Sequence, residues 1–243
     1  SPIPGKTAIG FEIPNKHPQT VMLRDLLADP QFAHHPSKTK VCIGKDVAGL
    51  PVYGDLADMV HTLVAGATGM GKSVCINSLI LSLLYKAKPD EVKMIMIDPK
   101  RVEFSMYAGI PHLLVPVVTD MKQAAGALAW SVEEMEKRFT LFEQARCRDI
   151  DGYNAKVRER PELGKPIPKI IIIIDELANL IQTMRNPVEG LIISIAQKAR
   201  AAGIHMVLGT QRPSVDVVTG LIKANMPSRI SFKVMAPENS RII

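Results

Sequence analysis

Gly66-Ala67-Thr68-Gly69-Met70-Gly71-Lys72-Ser73 matches G-x-x-x-x-G-K-[ST] at every fixed position. An apolar run (Val60, Leu63, Val64, Ala65) leads into it, and an apolar helical stretch (Val74 to Leu84) leads out. A phosphate-binding loop needs this order of strand, loop and helix. The glycines let the backbone turn tightly, so that successive N–H groups converge on phosphate oxygens. The following helix adds its positive N-terminal end. In such a loop Lys72 reaches the β- and γ-phosphates of a nucleotide, and the Ser73 hydroxyl ligates Mg²⁺.

Downstream, strand and helix patterns alternate. The helix after the loop runs to about Tyr85, where Lys88-Pro89-Asp90 breaks it. Val92 to Ile97 reads as a buried strand ending at Asp98-Pro99, and Leu113 to Val118 as another. Thr119 or Asp120 can cap a long helix whose stripe is Met121, Ala124, Leu128, Val132, Met135, Phe139 and Phe142. Trp130 lies off that stripe and carries no functional reading. Residues 146–169, with Pro161, Gly164, Pro166 and Pro168, read as a polar surface excursion with a short helix near Tyr153 to Arg158. The run from Ile170 to Ile174 cannot alternate in and out, which predicts a central strand buried on both faces. Asn186, Pro187 and Glu189 read as N-cap, first-turn proline and N3 carboxylate of a helix ended by Gly203. Ile204 to Leu208 and Ile230 to Met235 read as further strands. The expected class is α/β, a mostly parallel central sheet with helices on both faces.

Asp175-Glu176 ends the isoleucine strand, at the sheet edge where open α/β folds place ligands. Asp175 is the expected Mg²⁺ residue, and Glu176 the carboxylate that polarises an attacking water. Gln211, in Gly209-Thr210-Gln211-Arg212 after the next strand, is placed to contact the γ-phosphate or its water. Asn15-Lys16-His17-Pro18 lacks the aspartate of a guanine-specifying N-K-x-D and precedes the loop, so ATP is the expected nucleotide.

The 243 residues suffice for one large α/β domain, and 47% hydrophobic with 22% charged residues is a globular composition. No stretch approaches 18 consecutive apolar residues, and no secretory signal is visible. Cys42, Cys75 and Cys147 have no metal-type spacing and are odd in number, so the chemistry reads as cytoplasmic. A formal charge of +6 permits a polyanionic partner without requiring one. His61 and His205 border strands and read as core or hydrogen-bonded residues, and His34-His35 lacks partners for a metal. Residues 1–37 read as a linker or the end of a preceding domain, with an amphipathic patch from Val21 to Leu27. Short strands or a hairpin follow from Val41 to Val52.

Several longer segments carry a resemblance. The phosphate loop, Ile97-Asp98-Pro99-Lys100, Pro116-Val117-Val118-Thr119-Asp120-Met121-Lys122, the stretch from Ala196 to His205 (AQKARAAGIH) and the stretch from Thr210 to Asn225 (TQRPSVDVVTGLIKAN) resemble the FtsK/SpoIIIE double-stranded DNA translocases. The resemblance runs from about residue 2 to 241. It implies a RecA-like P-loop NTPase motor over residues 38–243, lacking the family's final motor segment. It further implies a hexameric ring around double-stranded DNA, with ATP hydrolysed between subunits. Family members are anchored by membrane helices at the division septum, move chromosomal DNA in division or sporulation, and carry a C-terminal winged-helix module; neither anchor nor module lies in this sequence. By resemblance Arg200 is the first choice as an arginine finger, with Arg229 the alternative. Arg212, Lys223 and Arg241 fall in regions expected to meet DNA phosphates in the pore. Asn179 stands where the family commonly has aspartate, and Glu238-Asn239 is more acidic than usual. The rival readings are a type VII secretion-like ATPase acting on protein and a non-hydrolysing nucleotide switch.

Overall fold

A computed structural model describes residues 19–243. In chain order the elements are α1 (Leu23–Ala28), α2 (Pro30–Ala33), β1 (Lys40–Lys45), β2 (Pro51–Asp55), α3 (Leu56–Met59), β3 (His61–Ala65), α4 (Lys72–Lys86) and β4 (Val92–Ile97). Then follow α5 (Met121–Gln144), α6 (Ile150–Glu159), β5 (Lys169–Ile174), α7 (Leu177–Lys198), β6 (Ile204–Thr210), α8 (Gly220–Asn225), β7 (Ser228–Ser231) and α9 (Pro237–Ile242). The Asn15–Pro18 reading and residues 1–18 of the proposed linker lie outside the described residues.

The main sheet has the order β4-β5-β6-β3-β7, and all of its pairings are parallel. The isoleucine strand β5 lies between β4 and β6, as the unbroken apolar run predicts. Ile170, Ile172 and Ile174 enter one core with Leu128 and Met135 of α5 and Leu180, Ile192 and Ile195 of α7. Ile171 and Ile173 enter the opposite core with Ile76, Leu79, Ile80 and Leu83 of α4. Burying each isoleucine fully contributes about 1.5–3 kcal/mol. β3 sits where the connections diverge: the chain leaves it for the far edge at β4 and later returns to its other side with β7. Such a switch point opens a crevice at the carboxyl ends of the strands, and the loop 66–73 occupies it.

A two-stranded hairpin, β1 with β2, stands beside α4. Leu26 of α1, Phe32 of α2 and Cys42 of β1 form a small separate core. Lys86 ties this region to α4, donating to the Phe32 and Ala33 carbonyls at 2.6 and 2.9 Å.

Four local expectations need correction. Leu113 to Val118 is not a strand; it touches the edge of β4 at two isolated bridges, Met94 with Leu113 and Ile97 with Val118. Pro116 lies between them and has no N–H to give a ladder. Helical structure after the isoleucine strand begins earlier than expected, at Leu177; α7 is two helical segments joined at a kink, and the start expected at Asn186 lies just after that kink, at the head of the second segment. Leu177, Ala178, Leu180 and Ile181 are all buried, so packing holds a helix there. Pro187, whose ring clashes with the carbonyl four residues back, is accommodated where Met184 leaves helical geometry (φ −142°, ψ 52°). Glu189 is then no capping acid; it accepts from Thr219 Oγ1 at 2.7 Å and pairs with Arg185 at 3.5 Å. The excursion at 146–169 is anchored in the core, because α6 buries Ile150, Tyr153 and Val157. The last strand is Ser228–Ser231, shorter and earlier than Ile230 to Met235. Asp120 is the cap of α5, accepting from the Lys122 and Gln123 N–H groups at 2.9 and 3.0 Å.

His61 and His205 are core residues. His61 Nδ1 accepts from the Met206 N–H at 3.1 Å, and His205 Nδ1 pairs with the Val60 carbonyl at 3.0 Å. Burial first, then neighbouring His205, pushes His61 down to about 3. Burial pushes His205 down to about 4. The unfolded chain therefore takes up protons near pH 6.5 that the folded chain refuses until pH 4 or 3. Stability is expected to be insensitive to this pair above pH 6.5. It falls below that by about 1.4 kcal/mol per pH unit per histidine until each folded value is reached. Denaturant titrations at pH 7.5 and pH 5 check this. His61→Asn/His205→Asn, which preserves one acceptor and one donor, is expected to lose less on acidification than the natural chain.

Candidate nucleotide site

The loop is pinned before it turns. Gly66 N–H donates to the Thr210 carbonyl (3.2 Å), Ala67 N–H to the Lys233 carbonyl (2.9 Å), and Phe232 N–H to the Ala65 carbonyl (2.8 Å). Phe232 lies across the loop: a Cβ on Gly66 would come within 2.8 Å of Phe232 Cβ. Gly69 and Gly71 have φ of +77° and +109°, the left-handed region that side chains avoid. α4 then opens at Lys72, and the first N–H groups of a helix have no partner within it. With the Gly66, Ala67 and Met70 N–H groups engaged in shaping the loop, the other N–H groups between Thr68 and Ser73 form a cradle of donors with positive helix polarity.

Lys72 is 2% exposed, and its Nζ donates to both the carbonyl and Oδ1 of Asp175 at 2.6 Å. The other carboxylate oxygen, Asp175 Oδ2, is buried without a hydrogen-bond partner among the described residues. Asp175 is brought close by the parallel register of β5 against β6 and by Gly209, where a Cβ would meet the Asp175 carbonyl at 2.3 Å. The buried Asp175 Oδ2 and the Ser73 hydroxyl, on the residue after Lys72, are the oxygen donors that a hard cation uses, so the residues present fit Mg²⁺.

Glu176 is 3% exposed and fully engaged. It accepts from Thr210 Oγ1 at 3.0 Å and from the Gln211 N–H at 3.1 and 3.2 Å, and pairs with Lys100 Nζ at 3.6 Å. Gln211 Oε1 in turn accepts from Thr68 Oγ1 at 3.1 Å, which links β6 directly to the phosphate loop. Lys100, Glu176, Asn179, Gln182, Gln211 and Arg212 line a polar cavity of about 300 Å³ beside Glu176. Lys72, Ser73, Asp175, Glu176 and Gln211 thus converge at the carboxyl edge of the sheet. Arg212 lies at the same edge, exposed.

The remaining sites lie apart. Arg200 is exposed in the turn after α7, not in its last turn, and shares a cavity with Arg148, Lys169 and His205. Lys169 and His205 begin their strands, so Arg200 sits at the amino edge, opposite its own chain's loop. Arg229 is spent locally, donating to the Met226, Lys223 and Ile243 carbonyls at 3.3, 2.8 and 2.7 Å. Lys223 lies in α8, and Arg241 is exposed in α9, a helix opened by Pro237 with Glu238 in its first turn. Cys75 is buried in α4, as its position suggests, and burial pushes its thiol up to about 11. Among the described residues no helix is long and apolar enough to cross a membrane.

Three participants have no role assigned from the sequence: Asp98 and Lys100, which stand in a segment that carries the resemblance, and Glu103. Asp98, fully buried at the end of β4, accepts from the N–H groups of Lys100, Glu103 and Phe104 at 3.2, 2.9 and 3.0 Å. The loop it organises presents Lys100 to Glu176 and Glu103 to Ser73, whose Oγ donates to Glu103 Oε1 at 2.9 Å. The available signal was the position of charged residues just beyond the carboxyl end of a strand next to the isoleucine strand.

A parallel, helix-covered sheet with this loop, an acid pair on the facing strand and a polar residue on the next defines a RecA-like P-loop NTPase. A family model for FtsK/SpoIIIE matches residues 22–215, and the chain belongs to that family. It is 56% identical to the DNA translocase FtsK of Caldanaerobacter subterraneus subsp. tengcongensis over 100% of this chain and 34% of that protein. The chain spans about a third of the length of the curated relatives it matches first. Among solved structures, the monomer form of the pCW3 conjugation coupling protein TcpA with ATPγS superimposes with a TM-score of 0.75 at 30% identity, over 88% of this chain and 60% of that one. The cytoplasmic domain of the Thermomonospora curvata type VII secretion ATPase EccC gives 0.77 at 23% identity, over 93% of this chain and 28% of that one, a likeness of fold.

Proposed function

We propose that this chain is the ATP-hydrolysing motor domain of a double-stranded DNA translocase. The observation that carries hydrolysis is Glu176, a buried carboxylate next to Asp175 and wired through Gln211 to the phosphate loop. Glu176 also ties Thr210, Gln211 and Lys100 together, so a second acid here serves both the local frame and the hydrolysis this reading assigns to it. DNA as the load is supported by relatives named DNA translocase FtsK and permitted by the charge of +6.

In this reading residues 66–73 wrap the phosphates of ATP, and Lys72 turns from Asp175 to the β- and γ-oxygens. Ser73 and Asp175 would hold Mg²⁺, which when bound would supply charge neutralisation at the phosphates. Glu176 takes a proton from the attacking water. Gln211 senses the γ-phosphate through Thr68. Arg200, exposed at the opposite edge of the sheet, is the candidate to reach a neighbour's nucleotide in a hexameric ring, with Arg229 the alternative. Arg212, Lys223 and Arg241 grip DNA phosphates without reading bases. Residues 38–243 form the motor, with α1 and α2 packed on its β1–β2 hairpin and tied to α4. The motor is the cytoplasmic part of a membrane-anchored bacterial protein at the division septum, serving chromosome movement in division or sporulation.

The test is ATPase rate with and without linear duplex DNA of unrelated sequences, with ring assembly followed by electron microscopy. Stimulation by every duplex, falling steeply as salt rises, is expected. Assembled rings that hydrolyse ATP without any response to DNA would overturn the proposal.

A further inference from the structure

The hydroxyl expected to meet the metal already has a partner. Ser73 Oγ donates to Glu103 Oε1 at 2.9 Å, across 30 positions of sequence. That contact is held from behind. The Glu103 N–H is anchored on Asp98 Oδ2 at 2.9 Å, and Phe104 beside it is buried at 1% exposure. Lys100 of the same loop is turned to Glu176. The half-buried Glu103 carboxylate is thus aimed at Ser73 by a rigid backbone.

We propose that Glu103 is a positioning residue for the magnesium of the nucleotide complex, acting on the metal through Ser73. The inference rests on the reading that Ser73 and Asp175 are the metal's protein ligands. A serine hydroxyl has one proton and two lone pairs. To offer a lone pair to a cation it must send its proton elsewhere, and Glu103 receives it. A hydroxyl that donates to a carboxylate has a more electron-rich oxygen and a fixed orientation, so it binds a dication more tightly. Outer partners of this kind are typically worth 10–100-fold in metal affinity. Glu103 also adds a negative charge to that of Asp175 at the place where a dication is drawn in. Magnesium keeps several waters when bound, and a carboxylate just outside the ligand shell can accept from them.

The test uses the whole chain loaded with ADP, and it reads binding rather than turnover. Mn²⁺ is titrated in and its free signal followed by electron paramagnetic resonance. In parallel, the affinity for a fluorescent ADP is measured in EDTA and across a Mg²⁺ titration. Glu103→Gln keeps an acceptor for the Ser73 hydroxyl but removes the charge; Glu103→Ala removes both. Ser73→Ala and Asp175→Asn remove the metal ligands themselves. The expected result is a Mn²⁺ affinity and a Mg²⁺ midpoint weakened by about tenfold or more in Glu103→Gln and further in Glu103→Ala, with ADP affinity in EDTA unchanged. Unchanged metal midpoints in both Glu103 variants, with Ser73→Ala and Asp175→Asn shifted, would overturn the role of Glu103 alone. Loss of ADP affinity in EDTA to the same extent as with metal would make Glu103 a structural support only, and also overturn it. No shift in Ser73→Ala or Asp175→Asn would remove the metal reading and this inference together.

Discussion

Lys72→Ala is expected to lose ATP binding and also to weaken the ligand-free fold. The first effect follows from the loss of the one cation that, among the described residues, is buried at the phosphate cradle. The second follows from its partner. Asp175 is 1% exposed, and Lys72 supplies the charge-assisted bond to Oδ1 while Oδ2 has none. Removing the lysine leaves a buried carboxylate uncompensated, a change that costs about 3–5 kcal/mol. Denaturant unfolding without nucleotide measures it. The double variant Lys72→Ala/Asp175→Asn is expected to regain much of the loss, because the amide removes the buried charge. A single variant as stable as the natural chain would contradict this account of the ion pair. Retained ATP turnover would contradict the account of the loop.

Glu176→Gln is expected to separate binding from hydrolysis. Glutamine keeps a carbonyl oxygen for Thr210 Oγ1 and the Gln211 N–H, so the local hydrogen bonds and nucleotide affinity survive. It cannot take a proton from water, and the hydrolysis rate is expected to fall by about 10²–10⁴-fold. Single-turnover hydrolysis beside equilibrium binding of a fluorescent ATP measures both halves. A variant hydrolysing at close to the natural rate would move the role of base to another residue. Glu103, a further carboxylate at the loop besides Asp175, would be the first to examine.

How much of this was legible depended on how local the cause was. The phosphate loop, the isoleucine strand and the Asp120 cap are written in contiguous residues, and each stands where the pattern put it. In α7 the Asn186-Pro187 signal marks the segment after the kink at Met184, while the segment from Leu177 owes its helix to burial in the core, which no local pattern announces. Leu113 to Val118 has a strand's composition, but one proline reduces it to two bridges. Within the site, Asp175, Glu176 and Gln211 follow from their place at strand ends. Lys100 and Glu103 do not. Their aim depends on three backbone bonds to Asp98 and on β4 pairing with β5, neither of which a linear pattern encodes. Phe232 is likewise invisible from sequence, since its contact with Gly66 and Gly71 needs β7 to lie beside β3.

The homopolymeric strand has one more consequence. A string of identical side chains contains no mark of its own position: moved along by a single step, most of it would present isoleucine wherever isoleucine stood before. Alignment must then come from what brackets the run. At one end Lys169 is fastened to Asp151 at 3.0 Å; at the other Asp175 is clamped by Lys72. The contact that serves chemistry therefore also acts as a ruler, setting where five interchangeable residues come to rest between their neighbours.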